Sequence, residues 1–457
     1  MSVDRPTPGR KSPVVGGLQT VTWRQWAMVC VLTVLFIYAQ IDSNGITLLI
    51  GPIKQDLALT DTEMGLILGI AFAAPFAVLG VLAGYLVDRM SRRRIIGVGV
   101  VLWSLMTFFS GLAQNYWQFL FLRFGIGVGE AAITPASYSI IRDSFPIEKR
   151  GRAFGIFTAG NYIGAAAGVM ITGALAGAVD AGAFKSVPWL GGLHAWQVVL
   201  VIIGLVGIPL SLLAYSFREP PRLRDGSMEN AGVTFGEAFR QIKSQWRIYV
   251  PLVIWITCFY GVAITYGSWM PTIIARTWEL PPKLIGIFFG GCLLICAPLG
   301  AYCGGYFIDI LQQRGRRDAA EIVGLWVTII FIPFGIAAPI VPQVGQMFFA
   351  LGAQLLVAGA YQPVGASLLA KITPPRLMGK VTAIYLLVYY LIGRGLGPFV
   401  VALISDNFYS GPQALGYSLG TVSAILMFLG LAMIWALVRR ARRVGLAPVA
   451  QAAASGL

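Results

Sequence analysis

Four charged residues, Asp42, Arg123, Glu130 and Arg394, lie far from either end of long apolar runs. A charge near the centre of a bilayer costs roughly 2.5–3.5 kcal/mol on insertion scales, so such residues face a partner or a water-filled cavity. A carboxylate in a dehydrated site can take up a proton and be driven back to its anion by a nearby guanidinium. Arg123 and Glu130 are seven positions apart, which puts them on one helix face about 10 Å apart along the axis. Gly125, Gly127 and Gly129 thin the helix between them, so another helix or a ligand can approach. We expect a carboxylate–arginine switch in which Arg123 pairs with Asp42 or Glu130 and protonation of the acid it leaves permits rearrangement. Glu130 is the first choice as proton carrier and Asp42 the second. A static buried ion pair is the alternative reading of the same residues. Arg394 has no acid of comparable depth in its own half of the chain. It is read either as binding an anionic head group, or as bonding backbone carbonyls or first-half acids.

The elements that must hold these charges are apolar helices. Hydrophobic residues make up 57% of the 457 and charged residues only 12%, a balance that cannot cover a soluble surface and defines a polytopic membrane protein. Twelve spans are expected near 25–52, 62–87, 94–113, 116–141, 150–179, 194–216, 248–276, 284–310, 320–340, 345–370, 378–405 and 414–437. The organisation expected is a tail over 1–24, a six-helix bundle over 25–216, a linker over 217–247, a second bundle over 248–437 and a tail over 438–457. No cleavable signal is expected, because 1–24 is polar and basic and the first apolar run is too long for one.

The net charge of +15 is topological rather than a sign of nucleic-acid binding. Of the 34 lysines and arginines, 28 fall in the tails and in the loops after spans 2, 4, 6, 8 and 10, against four on the other side. By the positive-inside rule both termini are cytoplasmic. Cys30, Cys258, Cys292, Cys296 and Cys303 all sit in apolar stretches and read as free packing thiols; no metal or cofactor is expected.

The halves repeat. Gly84-Tyr85-Leu86-Val87-Asp88 closes span 2, Gly305-Tyr306-Phe307-Ile308-Asp309 closes span 8, and clustered arginines follow each. Two parallel six-helix repeats around a central path describe a secondary transporter. Gly84 to Arg93 resembles the cytoplasmic signature of the major facilitator superfamily, with Ser91 where that pattern usually has Gly. Arg123-Phe124-Gly125-Ile126-Gly127-Val128-Gly129-Glu130-Ala131 resembles the fourth helix of its spinster-like branch. The resemblance covers the N-terminal half well and the C-terminal half at superfamily level. It implies an all-α membrane fold of twelve helices in two bundles related by a pseudo-two-fold axis, with gradient-driven alternating access. It also implies lysolipid or sphingolipid-like substrates, as for animal members. The branch usually has Asp-Arg in its first helix, whereas Asp42 is followed here by Ser43. It further implies that Asp88 helps to lock the halves together on the cytoplasmic side, with Arg92 and Asp143 as companions.

Polar and aromatic residues at mid-depth are candidates to line the path. These are Gln40, Ser43 and Asn44 on span 1, Asn161 and Tyr162 on span 5, Tyr260 and Tyr266 on span 7, Gln354, Tyr361 and Gln362 on span 10, and Tyr385 and Tyr389 on span 11. Pro135, Pro298 and Pro398 are expected to bend their helices. Phe235, Ala238, Phe239 and Ile242 among basic residues predict an amphipathic helix on the cytoplasmic leaflet. The function expected is proton-coupled secondary transport of an anionic or amphiphilic organic molecule, by a monomer in a bacterial inner membrane. Uptake of an organic or aromatic acid is the alternative. A membrane-embedded lipid enzyme fits less well, since one His and two deep acids do not supply its chemistry.

Overall fold

The computed structural model of the chain describes residues 21–222 and 234–444, apart from the side chains of 81–85, 88, 147 and 442–444. Most of both tails and the Asp88 side chain therefore lie outside the described residues. The first half comprises α1 (Trp23–Leu48), α2 (Asp61–Gly80, its helix running on to Arg89), α3 (Arg92–Ser110), α4 (Tyr116–Ser144), α5 (Glu148–Asp180) and α6 (Ala195–Tyr215). The second comprises α7 (Trp246–Trp278), α8 (Pro282–Gln313), α9 (Ala319–Ala337), α10 (Val344–Ile372), α11 (Pro375–Phe408) and α12 (Ala414–Ala441). Each is long and apolar enough to cross a bilayer with all its backbone bonds kept inside the helix. Twelve crossings bring the chain back to the side on which it starts. We call that side the near end and the opposite side the far end. A short linker helix, Phe235–Ser244, precedes α7; Thr234 caps it by accepting from the Glu237 N–H at 3.2 Å.

Three helix breaks fall where a proline frees a carbonyl, and two of them lie next to the charges. A proline cannot donate to the carbonyl four residues earlier and its ring crowds that carbonyl. Pro135 frees the carbonyl of Ala131, and α4 breaks there into Tyr116–Glu130 and Ile133–Ser144. Pro363 acts alike in α10, which divides into Val344–Gly359 and Tyr361–Ile372. Pro398 frees the carbonyl of Arg394, and the helix widens into a π-helical stretch over Tyr390–Leu396. Pro298, by contrast, sits inside the unbroken α8.

The halves pack most closely toward the far end, along two seams. On the α2–α11 seam a methyl at Gly69 would lie 2.2 Å from the Gly395 carbonyl oxygen. On the α5–α8 seam a methyl at Gly173 would lie 2.5 Å from that of Pro282. Only glycine lets these backbones approach so nearly.

Candidate functional site

The four deep charges converge. Asp42, Arg123 and Glu130 are 1%, 3% and 4% exposed, and all three are close enough to interact through space. Arg394 joins them from the other half: with Ser43, Phe72, Phe76, Glu130 and Tyr390 it lines a cleft of about 30 Å³ free volume, room for about one water. The break in α4 falls immediately after Glu130, and the π stretch of α11 carries Arg394. Such breaks are tolerated at membrane depth where backbone is buried in protein or lines a cavity.

Each acid has its own donor. The Thr107 hydroxyl, on α3, donates to Asp42 Oδ2 at 2.6 Å, while Oδ1 has no hydrogen-bond partner. The Ser43 hydroxyl donates to the Glu130 carboxylate, 3.0 Å from both oxygens. The position where the spinster-like pattern places an arginine is therefore in direct contact with Glu130. Arg123 makes no ion pair with either acid within 4.0 Å; its Nε and Nη2 lack hydrogen-bond partners and its guanidinium carbon lies 5.6 Å from the Phe119 ring centre. A tight Arg123 pair is thus not formed in this conformation. Arg394 rests on the first half, its guanidinium carbon 4.4 Å from the Phe72 ring centre, with Nε unpartnered.

The other path candidates divide. Tyr162 donates to Gln362 Oε1 across the halves at 3.1 Å, and Gln362 in turn donates to the Tyr361 hydroxyl at 3.4 Å. Tyr260, Tyr389 and Tyr390 pack ring on ring beside the cleft, with centres 4.4–5.3 Å apart, and Tyr385 extends the cluster 5.0 Å from Tyr389. Asn44 bonds back to the Gln40 carbonyl at 2.8 Å, and Asn161 is half-buried. Tyr266 points into the second-half core and donates to the Gly335 carbonyl at 2.5 Å. Gln354 is fully buried with neither amide atom partnered. Neither lines the cleft.

Near-end charges form a knot inside the first half. Arg92, fully buried, reaches Asp143 at the end of α4 and Glu219 beyond α6 (Nε to Oε1, 3.0 Å), and donates to the Pro220 carbonyl at 2.6 Å. Burial alone would raise the Glu219 carboxyl. The Ser91 hydroxyl (2.5 Å) and the Arg92 N–H and guanidinium outweigh it and hold the group below its ordinary value. In the second half Glu321 and Lys371 pair at 2.5 Å in the corresponding place with the signs exchanged.

Sequence reasoning missed a far-end cluster. Asp61 opens α2 and accepts both Nη groups of Arg276 on α7 at 2.9 Å; it also pairs with Lys54 and lies 3.4 Å from the Ser405 hydroxyl on α11. Beside it Asp406 Oδ2 accepts the Thr62 N–H at 2.7 Å and the Thr62 hydroxyl at 2.6 Å. Together these bonds join α2 to both α7 and α11 across the two halves.

Twelve membrane helices in two bundles, with the buried Glu130 of one and the half-buried Arg394 of the other lining one cleft, define a polytopic membrane protein with a charged site between its halves. The sequence pattern of the Major Facilitator Superfamily matches residues 30–318, and the chain belongs to that superfamily. An MFS-type efflux pump of Mycolicibacterium smegmatis is 25% identical over 425 residues, 92% of this chain and 94% of that protein. A D-galactonate transporter of Escherichia coli is 23% identical over 453 residues, covering 92% and 97%. Among solved structures, an inward-facing, unoccupied bacterial homolog of the human lysosomal transporter Spinster matches with a TM-score of 0.76. It is 28% identical and covers 91% of this chain and 95% of its own.

Proposed function

We propose that the protein is a proton-coupled secondary transporter that moves an anionic organic molecule, amphiphilic or acidic, between its halves. The observation that carries this reading is the shared cleft: Glu130 from the first half and Arg394 from the second line one space at mid-depth. Glu130 is the proton carrier. When it is ionised, Arg394 is balanced by it across the cleft. When it is protonated, Arg394 is free to take a carboxylate or phosphate, for which a planar fork of donors is suited. Asp42, bonded to Thr107, is the second titratable site, and the positive charge of Arg123 beside the acids keeps the cluster near neutrality. Because Ser43 stands where the branch has an arginine, the second-half Arg394 supplies the positive charge opposite Glu130, so proton and substrate are coupled across the halves. A relative that transports D-galactonate supports an anion, and the spinster-like resemblance of the sequence implies that the range extends to lysolipid or sphingolipid-like molecules. The near end is cytoplasmic, by the placement of lysine and arginine, and the protein works as a monomer in a bacterial inner membrane.

Proteoliposomes under an imposed pH gradient test this, with a panel of lysolipids and sugar or aromatic acids. Wild-type flux of the accepted compound rises with the gradient, and Glu130→Gln brings it to background while the protein stays folded. Flux indifferent to the gradient, or undiminished in Glu130→Gln, overturns proton coupling through this residue.

A further inference from the structure

Phe72 is apolar, so nothing in its type marks it for the chemistry of the site, yet its surroundings do. Its ring is 5% exposed and carries the Arg394 guanidinium at 4.4 Å. Its backbone is held by α4, where Gly127 leaves room for it: a methyl there would lie 2.5 Å from the Phe72 carbonyl oxygen. Gly127 is three residues before Glu130. Phe72 therefore sits between the helix of the proton-carrying acid and the helix of the substrate arginine. The stack continues through Phe76 (5.9 Å from Phe72) to Tyr390 (5.1 Å from Phe76), one turn before Arg394 on α11.

This contact also lies on a seam. From the far end inward α2 meets α11 at Gly65 against Phe399, then at Gly69 against Gly395, and then at Phe72 against Arg394. Beyond Gly69 the backbones no longer touch so closely, and the seam continues as ring against guanidinium. A desolvated cation over an aromatic face is worth about 2 kcal/mol or more, an exposed one about 0.5–1. An anion that takes the guanidinium must compete with the ring for it.

We propose that Phe72 is a positioning residue for Arg394. Its ring forms a cation–π clasp between the halves that presents the guanidinium to the cleft, and an anion bound at Arg394 releases it. The part played by the anion rests on the transport reading above; the clasp itself does not. Substrate specificity follows from the competition. A neutral analogue has no hold on the guanidinium and leaves the clasp closed.

The test needs no substrate. Spin labels at Gln114 and Gln346, exposed at the far ends of the two halves, are placed in a background without native cysteines, and distance distributions are recorded in nanodiscs. Phe72 is replaced by trifluoro-phenylalanine, which keeps the ring's shape and removes its negative face, and by Tyr, Trp and Leu. Tyr and Trp keep the wild-type distribution. Trifluoro-phenylalanine and Leu raise the ratio of long to short distances by about two- to thirtyfold. Identical distributions for phenylalanine and its trifluoro form overturn the clasp, because shape alone then suffices. So does a change in Tyr and Trp as large as in Leu. Because no transported compound is present, failure here is distinct from failure of the flux assay.

Discussion

At the scale of single residues, the site is a set of charges each given one neutral companion. Thr107 serves Asp42, Ser43 serves Glu130 and Phe72 serves Arg394, while Arg123 lies more loosely over the Phe119 ring, at 5.6 Å, in the field of the acids. None of the three companions is charged, so each holds its group without neutralising it, and the charges remain available to one another. A permanent buried ion pair would instead be hydrogen-bonded on both sides, since an unsatisfied buried charge is expensive. The unpartnered Asp42 Oδ1 and Arg123 Nε and Nη2 show that no such bridge is closed between them in this conformation. Thr107→Val tests how much of the arrangement hangs on one hydroxyl. It leaves both oxygens of a 1% exposed carboxylate without a side-chain donor, a loss of about 1–3 kcal/mol or more. The expected outcome is a clear fall in the thermal unfolding midpoint in detergent, largely recovered in Thr107→Ser. A midpoint that stays at wild type in Thr107→Val and falls in Thr107→Ser would show that the methyl packing, not the hydrogen bond, is what counts.

At the scale of elements, the helices were legible in the sequence and their interruptions only partly so. Length and apolarity suffice to mark twelve spans, and Pro135 and Pro398 mark two of the breaks. What a proline does then depends on its neighbours. In α11 three flanking glycines, Gly393, Gly395 and Gly397, let the helix widen, whereas α8 absorbs Pro298 without a break. Tyr266 and Gln354 show the same limit. A polar side chain at mid-depth has one appearance in sequence whether it faces a path or a partner in the core. The near-end knot joins three elements, α3, α4 and the segment after α6, and its second-half counterpart exchanges acid for base: Arg92 with Asp143, Glu321 with Lys371. Both pairs sit at the same joint of the repeat, so this contact is a property of each bundle. Glu219 gives it a pH signature. Its carboxyl is lower when folded than in the unfolded chain. Its contribution is thus complete above the unfolded value of about 4.3 and disappears as pH falls through the folded one. Wild type should unfold at a higher temperature than Glu219→Gln at pH 6–8, with the gap closing below about pH 4. A gap that persists unchanged in acid would assign the effect to packing.

At the scale of the whole molecule, the halves are joined at the far end by a cluster that no local motif announces. Asp61 and Arg276 are 215 positions apart, and in sequence each reads only as a loop charge on the sparsely basic side. Topology brings them together, because α2, α7 and α11 all reach the far end beside the seam between bundles. The Thr60 capping box fixes the first turn of α2 and so aims Asp61 at its partners. Such a cluster fastens the two halves to each other at the far end. For a passage that opens alternately at its two ends, it must break when the far end opens. Its worth can be bracketed. Exposed pairs contribute about 0–1 kcal/mol, and losing one partner of a fully buried pair costs 3–5 kcal/mol. The Asp61 side chain is 7% exposed, Arg276 29% and Lys54 18%, which places the cluster between those limits, at about 1–3 kcal/mol, or roughly 5- to 150-fold in an equilibrium. Asp61→Asn keeps the shape and removes the charge that three groups share. It should move the far-end distance distribution toward longer separations by a factor in that range. Asp406→Ala, which loses only the two bonds from Thr62, should move it less. High salt should diminish the wild-type bias only modestly, since the acceptor is buried and poorly screened. If Asp61→Asn and wild type gave the same distribution, the cluster would be a local brace of α2, and closure would rest on the glycine seams and the Phe72 clasp.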